Sequence, residues 1–260
     1  MRADLYLCTF GHAASRKKAQ DLIDAGAVRI DGQIIKKSSA AINEQIPHEV
    51  LVEEVFKYVS RGGMKLEAAL DAFKINVNRK KAVDIGASTG GFTDCLLQRG
   101  AAKVYSIDTG VGQLHESLRS DPRVVCLEKF NARELNEGVT DGFCDIAVED
   151  VSFISQTYII PNIAAVLREG GEFVSLIKPQ FEAGRSALGK GGIVHSGAYR
   201  FLAVTRVLEC AYENGFDCIG LIRSPIEGGD GNKEYLAYFV KRPRLSPRID
   251  AALIKRITAI

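Results

Sequence analysis

The chain has 260 residues, 46% hydrophobic and 25% charged, enough for one large buried core or two modest ones. No apolar run approaches the roughly 18 residues of a membrane span, and Met1–Cys8 carries no long apolar segment before a small-residue cleavage site, so a cytoplasmic protein is expected. The net charge is only +2, yet the first forty residues hold seven Lys/Arg against four Asp and the last twenty hold six against one, a distribution suited to an anionic partner such as nucleic acid.

Ser15 is placed to cap a helix whose Ala19, Leu22 and Ile23 share one face, while Arg16, Lys17, Lys18 and Gln20 point elsewhere. Gly26 sits where a helix-ending glycine belongs. Val28-Arg29-Ile30, Asp31-Gly32 and Gln33-Ile34-Ile35 then read as a hairpin with a tight Asp-Gly turn. Arg16, Lys17, Lys18, Arg29, Lys36 and Lys37 are the candidate phosphate-binding residues of this small basic unit. Residues 44–63 read as a joint, with Pro47, Glu53-Glu54 and a turn at Gly62-Gly63; Met64 to Phe73 is amphipathic, with Leu66, Ala69, Leu70 and Phe73 on one face. From Lys81 strands alternate with helices: strands near 82–85, 103–108, 123–127, 144–149, 172–177, 217–223 and 234–240, helices near 91–99, 113–119, 156–168 and 198–213. That alternation predicts an α/β fold, a Rossmann-like doubly wound, mainly parallel sheet, with the last strand antiparallel at or near the end of the order. The six cysteines are scattered without a Cys-x-x-Cys, which favours reduced thiols over disulfides or zinc, and no metal site is expected.

Ligands of such sheets bind outside the carboxyl ends of the strands, so Asp84, Asp108, Asp150 and Lys178 are the residues to read for chemistry. Asp84-Ile85-Gly86-Ala87-Ser88-Thr89-Gly90-Gly91-Phe92 is a strand, a glycine-rich turn and a helix start, and so a nucleotide pocket. A dinucleotide fingerprint wants Gly-x-Gly-x-x-Gly, and Ser88 stands where its middle glycine should be. Asp108, ending the next strand, can accept from both ribose hydroxyls of either NAD or S-adenosylmethionine. Asp84 tips the balance to the methyl donor, because a negative charge suits its cationic amino-acid end and opposes a pyrophosphate.

The acceptor is read by elimination. Asp150, in Glu149-Asp150-Val151-Ser152-Phe153, lacks the Pro-Pro-aromatic context of amino-group methylation, and no cysteine has the Pro-Cys context of carbon methylation, which leaves an oxygen. An alcohol needs a base beside it, and a lysine serves when burial or a neighbouring cation lowers its pKa. Lys178 ends an apolar strand; Lys65 could supply the cation, Asp150 could orient Lys178, and Glu234 could hold Lys65.

With these residues in view, residues 60–240 resemble the FtsJ-like ribose 2′-O-methyltransferases with their Lys-Asp-Lys-Glu tetrad, here Lys65, Asp150, Lys178 and Glu234. Glu227 is an alternative for the last place; Glu234 is preferred because it precedes an aromatic-rich strand in Gly231-Asn232-Lys233-Glu234-Tyr235. Ser15-Arg16-x-x-Ala19-x-x-Leu22-Ile23-x-x-Gly26-x-Val28-x-Ile30-Asp31-Gly32 resembles the RNA-binding domain of ribosomal protein S4. The combination is similar to the TlyA, or hemolysin A, family. The resemblance implies an S4-like domain over 1–58, a linker over 59–63, a methyltransferase domain over 64–244 and a basic tail over 245–260. It further implies S-adenosylmethionine as cofactor, held by Asp84, Gly86 to Phe92, Asp108 and Asn131, and a cytidine ribose of ribosomal RNA as acceptor, with Lys178 as base. Two rivals stand beside this reading: a non-catalytic RNA-binding or ribosome-assembly protein, and a membrane-active cytolysin, for which the chain offers no basic amphipathic helix with aromatics on one face.

Overall fold

In a computed structural model, residues 1–24, 26–52, 57–228, 231–242 and 249–259 are described. Glu53-Glu54 of the expected joint, Arg244 at the end of the expected methyltransferase domain and Arg248 of the expected tail lie outside these residues. The chain divides into two compact units, Met1–Arg61 and Gly62–Ile260.

The first unit contains α1 (Ala3–Thr9), α2 (Arg16–Asp24) and the strands β1 (Val28–Ile30), β2 (Gln33–Ile34) and β3 (Val50–Val52), which form an antiparallel sheet in the order β2-β1-β3. Ser15 Oγ accepts from Lys18 N–H at 3.2 Å, the N-cap bond read from sequence. Asp31 and Gly32 both take positive φ, 51° and 75°, which suits a two-residue turn between right-twisted strands. Ala19, Leu22 and Ile23 join Tyr6 and Leu7 of α1 and Val28 and Ile30 of β1 in one core. Helix α1 has no side-chain cap and turns Asp4 inward, so no local pattern announces it.

The second unit runs α3 (Gly62–Ala72), β4 (Lys81–Ile85), α4 (Gly91–Gln98), β5 (Lys103–Ile107), α5 (Glu116–Arg119), β6 (Val124–Leu127), β7 (Cys144–Glu149), α6 (Ile160–Val166), β8 (Leu167–Ile177), α7 (Pro179–Glu182), α8 (Gly197–Glu213), β9 (Phe216–Arg223), β10 (Tyr235–Lys241) and α9 (Ala251–Ala259). The sheet order is β6-β5-β4-β7-β8-β10-β9. All neighbours are parallel except β10, which is antiparallel to both β8 and β9 and sits one strand in from the edge. This is the Rossmann-like arrangement of class I methyltransferases. The order reverses between β4 and β7, so a crevice opens at their carboxyl ends.

Several expected boundaries differ. Gly62-Gly63, read as a turn within a linker, begin α3. The helix expected over 156–168 is broken: Gln156–Tyr158 form a 3₁₀ turn, α6 starts near Pro161, and Leu167 already belongs to β8. The helix expected over 113–119 shrinks to α5, capped by His115. The basic stretch after 245 ends in a helix rather than a bare tail: Ile254 of α9 is buried in the main core, and Arg200 Nε donates to Thr258 O at 3.1 Å. Two apolar residues there, Ile254 and Ile257, recur at helical spacing and outweigh the charge around them. Among the described residues no helix is long and apolar enough to cross a membrane.

Candidate active site

The turn after β4 closes against the end of β7. Gly86 has φ +83°, and a Cβ there would stand 2.5 Å from Asp150 O, so only glycine lets the two strand ends meet. Ser88, in the place of the missing glycine, itself takes φ +48°. Its N–H donates to Asp108 Oδ2 at 2.8 Å, and Gly110 N–H donates to Oδ1 at 2.7 Å. Both bonds aim the Asp108 carboxylate at a cleft of about 380 Å3. Gly86, Ser88, Asp108 and Asn131 line it, with Gln113, Asp150 and Phe153. Asn131 Oδ1 accepts from Arg133 N–H at 3.1 Å and so caps the following 3₁₀ turn.

Apart from Thr89, which is exposed, the rest of the expected cofactor set lies behind this lining. Ala87 is buried within the turn, Gly90 caps α4 at φ +94° against Leu118, and Gly91 and Phe92 are buried in the first turn of that helix. Thr89 O accepts from His115 N–H at 3.2 Å. Asp84 departs most from expectation. It lies within β4, fully buried and absent from the cleft wall, because side chains alternate along a strand and it is the next residue, Ile85, that lines the cleft. Its Oδ2 accepts from Thr93 Oγ1 at 2.6 Å, and Thr93 Oγ1 is 2.7 Å from Ser106 Oγ. Burial pushes the Asp84 carboxyl up to about 7, with Thr93 opposing and the Asp150 charge adding to the rise. Asp84 thus braces the turn from beneath.

On the other side of the crevice, four charged side chains from distant parts of the chain converge. Lys65, in α3, is buried and reaches Glu234, just before β10, at 2.5 Å between Nζ and Oε2. Lys178, at the end of β8, reaches Asp150, at the end of β7, at 2.5 Å between Nζ and Oδ1, and donates to Ser152 Oγ at 2.8 Å. Burial pushes the Glu234 carboxyl up; Lys65 pulls it down most strongly, Lys178 pulls in the same sense and Asp150 opposes, so the two pairs act on one another. Glu227 is half exposed and bonded to Arg223 at 2.8 Å, away from Lys65. Sequence reasoning passed over Ser152 and Phe153, although both follow Asp150 closely. Phe153 has φ +64° and is 92% exposed, with its ring 5.2 Å from that of Phe181, three residues after Lys178. An aromatic held so far out of the core, on a strained backbone, beside buried charges, offers a ring face to a ligand.

The basic residues of the first unit are differently placed. Arg16 Nε donates to the buried Asp4 at 3.0 Å, as do Arg2 and Gln20, and Arg2 first of all holds the Asp4 carboxyl well below the usual carboxylate range. Lys17 lies 3.5 Å from Asp21, and Lys18 Nζ donates to Val59 O at 3.4 Å. Arg29 is partly buried in β1, and Lys36 and Lys37 are exposed after β2.

Comparison with known proteins gives the same division. Residues 58–241 match the FtsJ-like methyltransferase family, and residues 1–44 match the S4 domain. The 16S/23S rRNA (cytidine-2′-O)-methyltransferase TlyA of Mycobacterium tuberculosis is 44% identical over 237 residues, 91% of this chain and 88% of that protein. Hemolysin A of Brachyspira hyodysenteriae is 46% identical over 245 residues, 92% of this chain and 100% of that protein. A solved hemolysin-named protein of Streptococcus thermophilus superposes with a TM-score of 0.79 at 40% identity, covering 100% of this chain and 94% of its own. The methyltransferase fold, the S4 domain ahead of it and relatives matched over nine-tenths of the chain agree: the chain belongs to the TlyA family of FtsJ-like methyltransferases.

Proposed function

We propose that this protein transfers the methyl group of S-adenosylmethionine to the 2′-oxygen of a cytidine ribose in ribosomal RNA, in the cytoplasm, with the S4 domain as an RNA-holding module. The observation that carries the reading is the convergence of Lys65, Glu234, Asp150 and Lys178 beside a cleft that ends on the Asp108 carboxylate. The cleft suits the donor: its volume lies within the usual range of small-ligand sites, roughly 300–1,000 Å3. The two backbone-held oxygens of Asp108 keep lone pairs for ribose hydroxyls, and Gly86 leaves room where a side chain would close the wall. When bound, S-adenosylmethionine supplies a methyl carbon made electrophilic by its positive sulfur.

Lys178, with a lone pair on Nζ, would take the proton of the 2′-hydroxyl, while S-adenosylmethionine held at Asp108, Ser88 and Gly86 would give its methyl group to that oxygen and leave as the neutral thioether. Asp150 and Ser152, both within hydrogen-bond reach of Nζ, are placed to hold the lysine ammonium that results. Lys65, steadied by Glu234, keeps a positive charge near the reacting oxygen, where developing negative charge is stabilised. Phe153 and Phe181 present ring faces on which an unstacked base can rest. Lys178→Ala tests the assignment: methyl transfer to ribosomal subunits should be lost, while calorimetric cofactor affinity stays within about twofold, because Asp108 and Ser88 are untouched. Normal transfer by that variant would overturn the role given to Lys178.

A further inference from the structure

Beneath the Lys178–Asp150 pair lies a second, wholly buried set of polar groups that the transfer step does not use. Glu182, the last residue of α7, is 2% exposed. Its Oε2 accepts from Ser155 Oγ at 2.5 Å and its Oε1 from Gln156 N–H at 2.9 Å. Gln156, also buried, donates through Nε2 to Leu176 O at 2.7 Å and accepts from Ser175 Oγ at 2.7 Å. Ser175 stands opposite Glu149 in the β7–β8 register. Glu149 is fully buried, and neither of its carboxyl oxygens has a hydrogen-bond partner among the described residues.

We propose that Glu182 is a positioning residue for methyl transfer, tying the segment that follows Asp150 to the turn that follows Lys178 and so setting the separation of the two reactive groups. The proposal rests on the reading of Lys178 and Asp150 given above. Glu182 lies four residues after Lys178, and its two acceptor bonds end five and six residues after Asp150. The loop between carries Ser152 and Phe153. The Lys178–Asp150 ion pair and the Lys178–Ser152 bond also span the two strand ends, but both run through the reacting lysine itself and are disturbed whenever it changes protonation. The Glu182 bonds are independent of that proton. A buried carboxylate carries a heavy desolvation penalty, which makes it a poor general cement; here its two bonds join the two segments that follow Asp150 and Lys178.

The charge is placed by the surroundings. Burial pushes both carboxyls up, Glu149 the farther of the two. Glu182 faces two donors and feels Arg206 of α8. The charges of Glu182 and Asp150 push Glu149 up further, while the Ser175 hydroxyl, which donates to Gln156 Oε1, and more weakly Lys178 oppose the rise. Cys210 of α8 completes the groups around the pair, with Glu213 farther along that helix. Two carboxyl groups in one dry pocket disfavour double ionisation; the surroundings raise Glu149 the more, and Glu182, facing two donors, serves as the acceptor.

The test is a set of variants assayed with S-adenosylmethionine and ribosomal subunits, with cofactor affinity measured by calorimetry in the same preparations. Glu182→Ala should lower kcat about ten- to a hundredfold, with cofactor affinity and the KM for subunits within about twofold. Glu182→Gln should fall between, since its amide oxygen still accepts from Gln156 N–H, and Ser155→Ala should lower kcat by about threefold or more. Unchanged kcat in the folded Glu182→Ala and Ser155→Ala variants would overturn the proposal, as would loss of cofactor affinity in step with kcat. If Glu182→Ala does not fold, Glu182→Gln and Ser155→Ala decide by the same two measures. Lys178→Ala, run in parallel, separates the failures: full activity there removes the reading of the site, whereas an inactive Lys178→Ala beside fully active Glu182 variants removes only the positioning role.

Discussion

Asp84→Asn asks what the buried carboxyl under the glycine-rich turn contributes. Its pKa is raised from 3.8 to about 7, chiefly by desolvation. The folded state therefore binds a proton more tightly than the unfolded chain. The resulting stability is complete below pH 3.8, falls as pH rises, and is gone above about 7. A span of roughly three pH units at 1.36 kcal/mol each amounts to about 4 kcal/mol, of which about 3 kcal/mol lies between pH 5 and pH 8. Asparagine keeps an oxygen for the Thr93 hydroxyl and does not titrate. Urea unfolding of the full chain, followed by circular dichroism at pH 5, 6, 7 and 8, should show the variant gaining on the wild type by about 3 kcal/mol across that range. Contributions of other titrating groups cancel in the difference. Two stability curves that run parallel with pH would refute the account of Asp84 as a near-neutral buried acid.

Asp108→Ala should weaken S-adenosylmethionine binding by about tenfold or more, read by calorimetry, since a charged acceptor is worth roughly 1.5–3 kcal/mol; unchanged affinity would place the ribose elsewhere. Gly86→Ala forces a Cβ to within 2.5 Å of Asp150 O at φ +83° and should cost about 1–3 kcal/mol of stability and displace Asp150. Melting temperature and transfer rate should fall together, and a variant normal in both would show that the strand ends have room to part. Replacing Lys17, Lys36 and Lys37 together by Ala should flatten the salt dependence of RNA binding, with the slope of log K against log salt reduced by up to about 0.9 for each phosphate left without its lysine. Arg16 is left out of that set because its guanidinium is already committed to Asp4. An unchanged slope would take these lysines off the RNA.

Local chemistry was legible wherever a few neighbouring residues decide the outcome. The Ser15 cap, the Asp31-Gly32 turn and every strand from 82 to 240 follow from side-chain period and turn residues, and the strands fall within a residue or two of expectation except at the start of β8. Helix α9 escaped because the basic residues around it drew the reading to charge, although only Lys255 and Arg256 within it are charged, and its burial depends on Arg200 and the core face it meets. In the site, Asp108 at a strand end and the Lys178–Asp150 pair were readable because parallel strands bring their carboxyl ends to one edge. Sequence spacing could not say which acid Lys65 meets. Glu227 and Glu234 differ by seven positions, and only the antiparallel insertion of β10 beside β8 brings Glu234 to a lysine 169 residues away.

By itself, then, the sequence determined the α/β alternation, the glycine-rich turn and the strand-end Asp108, Asp150 and Lys178, because each is written in local period or in a motif. The tertiary structure decided where those residues face. It turned Asp84 inward, since alternation along β4 sends that side chain away from the crevice. It set Glu149, the last residue of β7, and Glu182, in the helix that follows β8, into one buried layer beside Asp150 and Lys178, since the two parallel strands end side by side.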